Sequence, residues 1–124
     1  MGAMLRRALL ALALAFTCQA QMQKQRECGN QVVKAIAITR ERKPAVFATI
    51  KSYMFEYSKS HDACVIVMQY RVQQKGKSPE VQVLALNAVT MQPMAGHKDV
   101  YLIPASDSKQ IEDAADTLFE KYSR

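Results

Sequence analysis

The chain has no apolar run of the roughly twenty residues that a membrane-crossing helix needs. It has no Cys-x-x-Cys pair, no glycine-rich phosphate loop, no Gly-x-Ser-x-Gly elbow and no histidine-rich zinc pattern. These absences remove the recognisable sequence frames of thiol redox exchange, nucleotide hydrolysis, serine-elbow hydrolysis and zinc catalysis. No basic run is interleaved with aromatics in the way that stacks single-stranded bases, so nucleic acid is not an expected partner. Internal repeats and low-complexity tracts are also missing, and the lack of tryptophan carries no functional message.

What is present begins at the N-terminus. Arg6 and Arg7 precede a short apolar run from Ala8 to Phe16, followed by Thr17, Cys18, Gln19 and Ala20. A basic start, about nine apolar residues and a small-residue end make the layout of a secretory signal peptide, expected over residues 1–20 with cleavage after Ala20. Such a run is long enough to engage an export machine and too short to stay in a bilayer, so the mature chain is expected to carry no transmembrane helix. Residues 21–29 then read as a flexible lead-in, and residues 30–124 as one domain of ordinary size. An exported chain of this kind belongs in a periplasm or outside the cell.

Cysteine parity agrees with export. Of three cysteines, Cys18 leaves with the leader, and Cys28 with Cys64 form an even pair expected to be a disulfide. Closing a loop of about 35 residues stabilises a small domain by roughly 3–4 kcal/mol in the chain-entropy picture. Cleavage before Cys18 with lipid attachment is a competing reading. It fits poorly, because Phe16 and Thr17 occupy positions that normally hold small residues.

The net charge of +6 is unevenly spread. Residues 21–77 hold eleven lysines and arginines against four acids, whereas residues 78–124 hold four against seven. A basic half can face an acidic protein or an anionic membrane surface. The plainer reading is a soluble domain whose solvated faces differ in sign.

Along the domain, Gly29–Asn30 offers a turn and a helix cap. Residues 31–40 place Val32, Val33, Ile36 and Ala37 at helical spacing, although their β-branching leaves a strand open. After Pro44, the residues Val46, Phe47, Ile50, Tyr53, Met54 and Tyr57 follow a 3.6-residue period and predict a second helix. Residues 64–72 and 80–90 are rich in β-branched residues and flank a Gly- and Pro-containing loop, which predicts an antiparallel hairpin. Residues 100–103 are a candidate third strand. Ile111, Ala114, Ala115, Leu118, Phe119 and Tyr122 then form the apolar stripe of a capped C-terminal amphipathic helix. The expected fold is α+β in two layers: N-terminal helices, an antiparallel meander of about three strands and that last helix.

Three constellations carry candidate chemistry. Met91, Met94 and His97 place two thioethers and an imidazole at intervals of three, a soft donor set of the kind that copper(I) prefers. Copper is the one cofactor this chain suggests; otherwise none is expected, and methionines also serve as adaptable core filler. His61-Asp62-Ala63-Cys64 suggests a thiol enzyme centred on Cys64, an idea at odds with a disulfide at that residue. Lys51, Phe55 and Lys59, on the expected second helix, form a candidate partner surface of one exposed aromatic between cations. The leading expectation is a small exported non-catalytic binding protein of the inhibitor, immunity or envelope-accessory kind, acting on another protein. A copper-binding protein and a thiol enzyme are the alternatives.

Overall fold

The computed structural model describes residues 2–94 and 99–124, with side chains from residue 18 onward. Seven elements follow in order: α1 (Gly2–Arg42), α2 (Pro44–Phe47), β1 (Ile50–Ser58), β2 (Ala63–Val72), β3 (Glu80–Asn87), β4 (Tyr101–Pro104) and α3 (Ser108–Tyr122). The α+β class, the terminal helices and the antiparallel meander match expectation. The sheet, however, has four strands, in the order β1-β2-β3-β4.

The extra strand replaces the expected second helix. Only Pro44–Phe47 is helical there; Thr49 ends the turn by donating from its hydroxyl to the Val46 carbonyl at 2.6 Å. From Ile50 the chain extends and pairs with β2, with Ser52 opposite Gln69 through to Ser58 opposite Ala63. The apolar stripe over residues 46–57 fits a helical period, but Tyr53, Phe55 and Tyr57 also alternate. Registered pairing with β2 decides between the two. Asp62, with φ of 44°, takes the left-handed position that closes the β1–β2 turn, one that aspartate tolerates better than most residues.

Residues 21–29, expected as a flexible lead-in, are helical and continuous with 31–40. Gln21 to Glu27 are all good helix formers, with no glycine or proline among them. Gly29, expected in a turn with Asn30, lies inside α1 below Phe55. A Cβ there would sit 3.5 Å from the Phe55 ring, an ordinary contact. Gly29→Ala is therefore expected to stabilise the protein by about 0.5–1 kcal/mol, seen as a higher denaturant midpoint with an unchanged slope.

The helices cover opposite faces of the sheet, which makes three layers rather than two. Because side chains alternate along a strand, β2 sends Cys64, Ile66 and Met68 to one face and Val65 and Val67 to the other. The first face meets Cys28 and Val32 of α1. The second meets Ile111, Ala114, Ala115, Leu118 and Tyr122 of α3, a helix capped where the Asp107 side chain accepts from Gln110 N–H at 3.1 Å. Cys28 and Cys64 are joined by a disulfide with their Cα atoms 5.1 Å apart, tying α1 to β2. Such a bond persists in oxidising surroundings. Among the described residues no helix is long and apolar enough to cross a membrane.

Candidate binding groove

α1 lies over β1 and β2 and leaves part of its face of the sheet open. Beside it runs a groove of about 430 Å³. One wall is α1, through Ala35, Ile38 and Thr39; the floor is Tyr70 of β2; the far wall is Val89 and Met91 in the turn after β3. Arg42, Lys43 and Val46 close the end where α1 passes into α2. Several of these apolar side chains meet solvent: Val89 is 65% exposed, Val46 43% and Ile38 40%. Leu102 of β4, 58% exposed, extends the same surface, because Tyr70 pairs with Gln82 and Gln82 with Leu102. Burial pushes the Tyr70 phenol above its usual pKa. A shallower apolar hollow lies on the other flank of α1, between Val33, Phe47 and Tyr53, with the Arg40 guanidinium 5.7 Å from the Phe47 ring centre.

A second cavity, about 310 Å³, opens farther back along α1, at Lys24 to Gln31, beside the disulfide. Its polar rim is a self-satisfied cluster. Lys24 Nζ lies 3.0 Å from Asp62 Oδ1 and 3.1 Å from Tyr57 Oη, and Tyr57 donates its phenolic hydrogen to the same carboxylate. Gln25 Oε1 accepts from the Tyr57 backbone N–H at 2.9 Å, which satisfies a donor on the outer edge of β1. These groups latch α1 to the β1–β2 turn. The hydrogen bond from Tyr57, and then Lys24, holds Asp62 below the ordinary carboxylate pKa; Tyr57, and then Asp62, raise Lys24.

A lowered carboxylate pKa stabilises the fold at pH above the unfolded value, and that stabilisation fades as pH falls through the folded value. Asp99 behaves alike, lowered by hydrogen bonds from Lys121 and then Tyr122. Stability is therefore expected to drop below about pH 4, and Asp62→Asn is expected to flatten that acid limb. Denaturant midpoints measured from pH 3 to 7 check this; an acid limb of unchanged steepness counts against the latch.

The residues singled out from sequence separate in the structure. Phe55 is half-buried against the α1-side core rather than exposed. Lys51 and Lys59, close on a helix, stand near opposite ends of an extended strand, about 26 Å apart by chain rise, so the three share no patch. Met91 packs with the core cluster on the α1 side and Met94 with the cluster on the α3 side, so the structure does not bring these two thioethers together. His97 lies outside the described residues. Among the described residues, no three His, Cys, Asp or Glu side chains gather as a metal would need. Cys64 is bonded to Cys28, and the thiolate a nucleophile needs is absent while that bond is intact. His61 instead sits with Nδ1 2.8 Å from the buried Ser58 hydroxyl.

Sequence reasoning missed the groove because its walls come from four elements distant in the chain. The one local signal is the apolar character of Val89 at the end of an expected strand, Met91 in the loop after it and Leu102 in the short third strand. No protein-family model, curated protein or solved structure matches this chain.

Proposed function

We propose that the mature protein is a small exported binding protein without catalytic activity, presenting the groove beside α1 to another protein in a periplasm or outside the cell. The observation that carries this reading is the strip of exposed apolar side chains on Ile38, Val46, Val89 and Leu102, bordered by Arg42 and Lys43. A contiguous apolar surface with a charged rim is the usual anatomy of a protein contact. Export is supported by the layout of residues 1–20 and by the Cys28–Cys64 bond. Among the described side chains, no buried residue of α1 precedes Cys28, so cleavage after Ala20 would leave the described core whole.

The test is co-purification of tagged protein, expressed with its leader, from envelope and secreted fractions. A partner that co-purifies in stoichiometric amount, and is lost with Val46→Asp plus Val89→Asp, is the expected result. Both positions are exposed, so the double variant should fold, which circular dichroism checks. Absence of any partner at native expression levels would overturn the proposal. Intact mass of the exported protein is expected to show loss of residues 1–20, no lipid and no alkylatable thiol until a reductant is added.

A further inference from the structure

We infer that the groove accepts one amphipathic α-helix from the partner protein, laid beside α1 with its apolar stripe on the sheet and an acidic flank toward Arg42 and Lys43. The inference deepens the binding reading above and rests on it.

Width is the first argument. Strands lie about 4.8 Å apart, so four of them span roughly 14 Å between outer axes, more than the 10 Å or so that one helix covers. α1 meets β1 and β2, and Met91 and Val100 shield one end of β3. The remainder, half-buried at Tyr70 and Gln82 and exposed at Leu102, runs across register partners on three successive strands. Two strand spacings give about 10 Å, the distance at which one helix packs beside another.

The second argument is a precedent inside the molecule. On its opposite face the same sheet already holds α3, fifteen residues long, with a buried stripe through Ile111, Ala115 and Leu118 and acids Glu112, Asp113 and Asp116 turned outward. An acidic amphipathic helix is thus an occupant this sheet demonstrably takes. Charge is the third argument. Arg42 and Lys43 stand at the groove mouth and take no part in the ion pairs formed among the described residues. Arg42, in the last turn of α1, is favoured there by the helix dipole, and both cations remain available to carboxylates. Concavity argues against a flat bilayer, and an extended peptide would add to the open edge of β4 instead of entering the groove.

The probe is a displayed library of fifteen-residue, helix-favouring peptides with leucine at i, i+3 or i+4, and i+7, and with Glu, Lys, Gln or Ser at the flanks. It is selected against the mature disulfide-bonded protein. Selected peptides are expected to be glutamate-rich on one flank and to shift the backbone amide resonances of Ile38, Val46, Tyr70, Val89 and Leu102. Arg42→Glu with Lys43→Glu is expected to weaken them about tenfold and to improve lysine-flanked peptides, the response of rim charges. Winners without helical periodicity, resonance shifts confined to β4, or indifference to the charge reversal would overturn the inference. Concentration-dependent dimerisation abolished by Val89→Asp would replace the partner helix with a second copy, and binding to phosphatidylglycerol vesicles lost in the charge-reversed variant would replace it with a membrane. The two readings fail separately. A co-purifying partner that is lost with Val46→Asp and Val89→Asp while no helical peptide is selected sinks the helix and leaves groove binding standing; no partner and no selected helix sinks both.

Discussion

Protein in which Cys28 and Cys64 are both serine is expected to unfold about 15–25 °C lower than the disulfide-bonded form, a loss of roughly 3–4 kcal/mol. The bond joins residues 36 apart in sequence, and cutting it returns that loop's entropy to the unfolded chain. Where the loss falls in the structure is equally specific. Among the described side chains of α1, only Cys28 and Val32 are fully buried, so beyond the covalent bond the helix is held to the sheet by a small buried patch and by the polar latch at Lys24 and Gln25. α3, by contrast, buries five side chains with no covalent help. Without the bond, α1 should open before the rest, and amide exchange should quicken in residues 28–40 more than in 111–118. Uniform acceleration across both helices would mean that α1 is not separately held. A melting temperature within a few degrees of the parent would mean that the staple contributes little.

The same asymmetry explains which parts of the fold were readable. α3 carries its own proof, a cap at Asp107 followed by a stripe at helical spacing, and nothing remote is needed to form it. β2 and β3 announce themselves by β-branched density on either side of a turn. They also hold a signal that the two-layer expectation overlooked. Cys64 through Met68 and Val83 through Leu86 are unbroken apolar runs, and a strand apolar on both sides must be covered on both faces. β1 could not be settled locally, since its residues satisfy a helical period and an alternation together; the strand exists because β2 supplies a partner ladder. The error carried forward into the candidate site. Lys51, Phe55 and Lys59 converge only on a helix, whereas the observed groove depends on how α1, β2, β4 and the turn at Val89 assemble. No short-range pattern encodes that arrangement.

Leu118→Ala is expected to cost about 3 kcal/mol, with the melting temperature falling by roughly 12–20 °C. Leu118 is 1% exposed and packs among Val65, Val67, Val81 and Ile103 on the α3 face, where no second helix shares the load. Truncation leaves a cavity that strands fixed by pairing on both sides cannot close. This loss and that of the disulfide arise in different states of the chain. The leucine acts on the folded core, so its denaturant midpoint should fall at constant slope; the cross-link acts on the unfolded ensemble, so its removal should raise the slope as the chain expands. The two sites lie in separate core clusters with no shared partners, and their costs should therefore add. The sum, about 6–7 kcal/mol, is comparable to the whole margin of a domain this size, so the triple variant should be largely unfolded at 37 °C. A triple variant that still melts cooperatively well above that temperature would show that the two helix layers support each other through the sheet, contrary to the independence of its faces.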